Sequence, residues 1–228
     1  MFRKFILGFI FISIFSYNIS SMGGSIPSGL PTYFGFGCMD NFSLGWKGSQ
    51  GSSCWDYTYV YLTQGWRLWN GDDPSYAMLN AQHFEPYNQF QVFTYYYNNG
   101  NISQYNQTLF MTTYFNDLKL LFQKINQYST KKCIVHIDPD LLGFWTTSGY
   151  SVTQSGVVAV GSTGISDIAS IENNIRGWHR AIYTLKNNYA PSKALIAHHI
   201  SPWCFGFDIM NSSVTEEELT TRVFNITN

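Results

Sequence analysis

Four short β-prone runs recur along the chain, at 56–63, 90–97, 133–138 and 194–201, and every gap between consecutive runs can hold a helix. Helical spacing is explicit in two of those gaps. Tyr114, Leu118, Leu121 and Ile125, joined by Phe115 and Phe122, fall on one face of a helix. Ile171, Ile175, Trp178, Ile182 and Leu185 form a second stripe, closing near "NNYAP". A weaker helical pattern covers 74–84. Strand, helix-length crossover, strand, repeated, predicts an α/β fold of parallel βα repeats.

No Gly-x-Gly-x-x-Gly or Walker-type loop follows the first strand, so a nucleotide-binding doubly wound sheet loses its usual sequence support. The remaining common solution is a (β/α)8 barrel, yet only about four βα units are countable. The segment after Trp203, ending "TEEELTTRVFNITN", has room for one more helix. The expectation is a partial (half) TIM-barrel-like domain; a small four-stranded α/β domain is the rival. Four units leave two sheet edges open to self-association.

Arg3 and Lys4 precede the apolar run "FILGFIFISIF", followed by small and polar residues, which reads as a signal peptide over 1–22. The run is short of the roughly 20 residues that a membrane span needs. Residues 23–54 form a Gly/Ser-rich lead-in, and 55–228 the barrel-like domain. Extracellular localisation is therefore expected, with no membrane contact once the leader is removed. N-x-S/T sequons at Asn41, Asn101, Asn106, Asn211 and Asn225 fit that compartment as glycosylation sites. The four cysteines are Cys38, Cys54, Cys133 and Cys204. A Cys38–Cys54 disulfide would close the Gly/Ser-rich loop and stabilise by about 3 kcal/mol. Cys133 opens the third strand and Cys204 follows the fourth, about 20 Å away across a parallel sheet, too far for a bridge.

Composition is globular, with 45% hydrophobic and 12% charged residues. A net charge of -1 gives no footprint for nucleic acid. No zinc spacing is present, and no metal or cofactor is expected. Aromatic residues reach 18%, which places many Tyr and Trp near the surface.

The third run, "CIVHID", leads into Asp138-Pro139-Asp140. Strand alternation puts Cys133, Val135 and Ile137 on one face and Ile134, His136 and Asp138 on the other. In the fourth run Ala197, His199 and Ser201 share a face. His136, Asp138, His199 and Ser201 are thus expected to point inward at the C-terminal strand ends, where α/β sites form. Asp before Pro also starts turns, so either acid could instead cap the next segment. Trp66, Trp69, Tyr95, Tyr96 and Trp203 fall just past strand ends, as rings that stack on sugar faces would.

The motifs "YVYLTQGWRLWN", "FQVFTYYYNN", "YFNDLKLLFQKI", "CIVHIDPDLLGF" and "YTLKNNYAPSKALIAHHISPW", in this order, resemble a family of secreted, largely uncharacterised glycoside-hydrolase-like (β/α)8-barrel proteins. The resemblance covers 55–208 and implies a sugar-directed role, with a glycan or polysaccharide as partner. Members carry Glu-Pro-Asp where this chain has Asp138-Pro139-Asp140, and they continue past these motifs, which implies the N-terminal part of a barrel. Glycoside hydrolysis uses two carboxyl groups flanking the bond. Asp138 is the expected acid/base or nucleophile, Asp140 the residue that orients a hydroxyl or the following loop, and Asp208 the nearest downstream partner. His136 and His199 are expected hydrogen-bond partners. The competing readings are a non-catalytic carbohydrate-binding protein and, on the Asp-x-Asp pattern, a metal-assisted sugar transferase.

Overall fold

The computed structural model describes residues 26–31, 35, 37–39, 56–69, 82, 86, 89–97, 100–199, 202–205, 215, 217, 218 and 221. The leader, Cys54, Asn41, Asn211, Asn225, Ser201, Asp208 and nearly all of 74–84 lie outside the described residues, and Cys38 is described in its backbone only. The chain divides into two compact units, 1–36 and 37–228. In the first, the Leu30 N–H donates to the Pro27 carbonyl, closing a turn.

The second unit is mixed α/β. Its strands are β1 (Gly37–Met39), β2 (Tyr57–Leu62), β3 (Phe90–Tyr95), β4 (Cys133–Ile137) and β5 (Ala194–His198). They pair in the order β1-β2-β3-β4-β5, every pair parallel. β2 to β5 match the four β-prone runs. β1 carries the sheet back into the segment expected to be a lead-in, with Gly37 registered on Tyr57. Three residues are too few to show an alternation, which is why the sequence pattern misses it.

The helices are α1 (Thr108–Tyr128), α2 (Leu141–Thr147) and α3 (Ile175–Tyr189). α1 buries the predicted stripe of Tyr114, Leu118, Leu121 and Ile125, with Phe115 and Phe122 beside it. α3 starts one turn later than the periodicity implied. The Asn174 side chain accepts from the Gly177 N–H at 2.8 Å, capping the helix. Ile171 consequently packs against the core from the preceding loop. That loop is held to the helices where Asp167 takes the Lys119 ammonium at 2.9 Å and the Tyr189 hydroxyl at 3.0 Å.

Both long helices cover the same face of the sheet. There Val60, Phe93 and Val135 lie in one register row, and Leu62, Tyr95 and Ile137 in the next, all buried. The opposite face carries Tyr59, Tyr61, Val92, Ile134, His136, Leu195 and Ala197, which remain half-buried or exposed. The described Tyr and Trp divide between the helix-covered core and the surface, where Tyr61, Trp69, Tyr150, Tyr183 and Trp203 are exposed. Trp66, Trp145, Trp178, Tyr95, Tyr97, Tyr105 and Tyr114 are almost completely buried. Each contributes of order 1.5–3 kcal/mol by leaving water. Tyr114 meets Tyr95 at 5.2 Å and Tyr97 at 5.3 Å between ring centres, in edge-to-face contacts. Trp66 and Tyr95 are therefore core side chains, and the expectation that they stack on a ligand is overturned. Parity explains Tyr95, which shares the helix-covered face with Phe93.

Asp138 is the main departure from strand alternation. Its φ is +34°, a left-handed conformation, so alternation stops at Ile137 and the side chain turns under the helices. The carboxylate is 3% exposed. Oδ1 accepts the Tyr97 N–H at 2.9 Å, and Oδ2 accepts the Tyr114 hydroxyl at 2.7 Å. The Tyr114 oxygen in turn accepts the Trp178 indole N–H at 3.3 Å. One acid thus ties the end of β3 to α1 and, through Tyr114, to α3. Asp117 repeats the device beside it, taking the Tyr97 hydroxyl at 2.8 Å, with Arg67 at 3.3 Å. The placement expected of Asp138 is corrected: its side chain turns under the helices, where it ties the β3 end to α1.

Burial raises the Asp138 pKa to about 7, against the pull of the Tyr114 and Tyr97 hydrogen bonds. A raised folded pKa favours the protonated acid. Its stabilisation is complete below the unfolded value of 3.8 and is lost as pH rises through about 7. Asp138→Ala should cost about 1–3 kcal/mol in mildly acidic buffer, because it leaves the buried Tyr97 N–H and Tyr114 hydroxyl without their partner. The gap between variant and wild type should narrow as pH passes about 7. Urea unfolding across that range measures both effects.

Candidate functional site at the C-terminal rim

The described residues that can meet a ligand gather where the strands end, on the face away from α1 and α3. His136 is the last residue of β4 on that face, in one register row with Tyr61, Thr94 and Ala197. His199, just past β5, stacks on His136 with ring centres 5.6 Å apart and planes 20° from parallel. The two histidines thus lie together on the side of the sheet away from α1 and α3. Their neighbour His198 turns the other way, to His179 of α3, at 4.6 Å between ring centres. Alternation at the end of β5 separates the two adjacent histidines, as the sequence pattern requires.

The carboxylate of this rim is Asp140. Its backbone is left-handed, with φ +70°, and it occupies the N-cap position of α2 without using its side chain as the cap. The Trp203 indole N–H donates to Oδ1 at 3.1 Å, and His199 Nε2 lies 3.6 Å from the same oxygen. The Asp140 side chain is 35% exposed, so a ligand can reach it. Both acids were expected to line the site; Asp140 faces the rim, whereas Asp138 faces the core. Pro139 separates two left-handed residues, and a pattern that assumes uninterrupted alternation cannot anticipate that.

α2 holds the arrangement from behind. Phe144 packs on Trp203 at 5.1 Å. Gly143 is required by close approach: a Cβ there would lie 3.0 Å from Trp203 Cζ2 and 3.2 Å from the Cys204 Cβ. Gly100 serves the same helix from the other side, with φ +73° and the Phe144 ring where its Cβ would be.

Tyr96, past β3, meets Tyr61 at 6.1 Å between ring centres, and Tyr61 meets Tyr59 at 6.0 Å. The Tyr96 phenol is raised above its ordinary value by burial first and by the charges of Asp140 and Asp138 next. His136 is lowered to about 4 by burial, with His199 and His198 adding to the effect, so it is neutral at physiological pH. A neutral imidazole offers one donor and one acceptor. Below the rim runs an open groove of about 420 Å³ lined by Val92, Ile134, His136, Ala197, His199 and, from the end of β5, His198. That size lies within the range of small-molecule sites.

Tyr61 and Phe144 were not among the residues expected at the site. Alternation in β2 does find Tyr61, since Thr58, Val60 and Leu62 are buried on the helix side. Trp69 is exposed, past the end of β2. Asn101 and Asn106 are exposed, and the Asn101 side chain accepts from the Ser103 N–H and hydroxyl. Cys133 and Cys204 are not joined in a disulfide, and the Cys133 thiol donates to the Ser129 hydroxyl at 3.3 Å. Asp138 and Asp140 point to opposite sides of the sheet end, so they cannot chelate one cation. No cluster of three or more His, Cys, Asp or Glu that could hold a metal occurs among the described residues. No helix among them is long and apolar enough to cross a membrane.

Chemically, the rim offers one carboxylate, two imidazoles, the phenols of Tyr61 and Tyr96, and an exposed indole. These groups hydrogen-bond hydroxyls and stack on apolar ring faces. Gly143→Ala should preserve α2, since alanine favours helix, while pushing Trp203 away from Asp140. The Trp203 indole N–H resonance, assigned with Trp203→Phe, should move upfield; an unchanged resonance would show that the contact tolerates the methyl group.

No family model, no curated protein and no solved structure matches this chain.

Proposed function

We propose that this chain is a secreted carbohydrate-active protein, glycoside-hydrolase-like, in which a partial barrel of βα units presents its site at the C-terminal rim. The observation that carries the reading is Asp140, held by the Trp203 indole and beside His199, above an open apolar groove. A carboxylate flanked by an aromatic ring and an imidazole suits a polyol with apolar ring faces better than it suits an anion. The sequential parallel order, with both long helices on one face, supports the partial-barrel reading. A doubly wound sheet would reverse its strand order instead.

In a hydrolytic reaction Asp140 would take the acid, base or nucleophile role, with His199 beside its Oδ1 and Trp203 fixing its orientation. Glycoside hydrolysis generally uses a second carboxyl group across the bond. Among the described residues the rim contributes Asp140 alone, because Asp138 is committed to the core. That observation favours a second reading, carbohydrate binding without turnover.

Reducing-sugar release from a panel of glycans separates the two. Under the hydrolytic reading, Asp140→Asn should lower turnover by about 10²-fold or more, while its isosteric amide oxygen keeps the Trp203 bond. Glycan binding with no release from the wild type selects the binding reading. Absence of both binding and release would sink the carbohydrate assignment.

A further inference from the structure

We infer that the site accepts a linear glycan laid across the strands, over several sugar residues, in preference to a single sugar ring; this rests on the carbohydrate reading above. The argument begins with register. Tyr61, Thr94, His136 and Ala197 occupy one row on β2, β3, β4 and β5, so their side chains share one level of the open face, with Thr94 buried and the other three reaching its surface. Three strand spacings of about 4.8 Å make that row roughly 14 Å wide. A pyranose ring covers little more than one such spacing.

The groups along the row differ in type. Tyr59 and Tyr61 stand at the β2 end, and Tyr96 follows at 6.1 Å from Tyr61. His136 on β4, His199 just past β5 and Asp140 just past β4 come next, linked by the 5.6 Å stack and the 3.6 Å approach. Trp203 is bonded to Asp140 and backed by Phe144 of α2. Aromatic and polar groups thus share the rim. Rings that stack on C–H faces accompany groups that bind hydroxyls, and the apolar floor is Val92, Ile134 and Ala197.

Both rings are open to solvent. Tyr61 and Trp203 are each 42% exposed, in contrast to the core phenols. Tyr95, Tyr97, Tyr105 and Tyr114 show that the fold can bury phenols fully when they serve the core. Exposed rings sharing a rim with polar groups are the layout of a cleft through which a chain passes. A pocket for a lone or terminal sugar would be enclosed, whereas this groove is open along the row.

Length dependence tests the inference. Titration calorimetry with cello-, manno-, xylo- and chito-oligosaccharides, from monomer to hexamer, gives affinity as a function of chain length. In the series that binds, affinity should rise about tenfold or more between monomer and tetramer and then level off. Tyr61→Ala should weaken the tetramer more than the monomer, and Tyr61→Phe should retain the rise, because the ring and not the hydroxyl stacks. A monomer that binds as tightly as its tetramer would overturn this inference and leave the carbohydrate reading standing. Equal loss for monomer and tetramer in Tyr61→Ala would also overturn it. If no series binds, both fall together.

Discussion

A buried carboxylate at the end of β4 organises this molecule. Asp138 sits where a strand, a turn and two helices must be joined, and it supplies acceptors to the β3 end and to α1 at once. Its left-handed backbone carries an intrinsic strain of order 1–3 kcal/mol. The fold sustains that strain because the two hydrogen bonds depend on it. Once Asp138 turns inward, Pro139 and the second left-handed residue send Asp140 outward. The core tie and the rim carboxylate are two products of one turn.

This coupling explains which parts of the structure were readable in the sequence. Alternation and helical spacing located β2 to β5, α1 and α3 because each is long enough to repeat its period. The same logic placed His136 and His199 on one face and separated His199 from His198. It failed where the backbone leaves the strand conformation. Extending alternation one residue past Ile137 assigned Asp138 to the wrong side, and with it the identity of the exposed acid. β1 was missed for a different reason, since its three residues gain their strand character from pairing with β2.

Aromatic side chains show the limit of composition as a guide. Tyr and Trp past strand ends resembled a stacking surface, yet Trp66 and Tyr95 are fully buried while Tyr61, Tyr96 and Trp203 line the rim. Adjacent residues Tyr95 and Tyr96 have opposite fates because one registers with the helix-covered face and the other follows the open one. Residue type indicates what a ring can do; register decides where it does it. The rim is accordingly a selected subset of the aromatics, arranged about one acid and two stacked imidazoles.

The strand order has a bearing on how the chain acquires its shape. Each strand pairs with the one immediately before and after it in sequence, so every sheet contact spans a single crossover. Assembly can proceed by accretion, each new segment adding to an edge already formed, and the entropy of closing long loops is kept small. The Asp138 tie joins segments that are neighbours in that order, the β3 end, α1 and the β4 end.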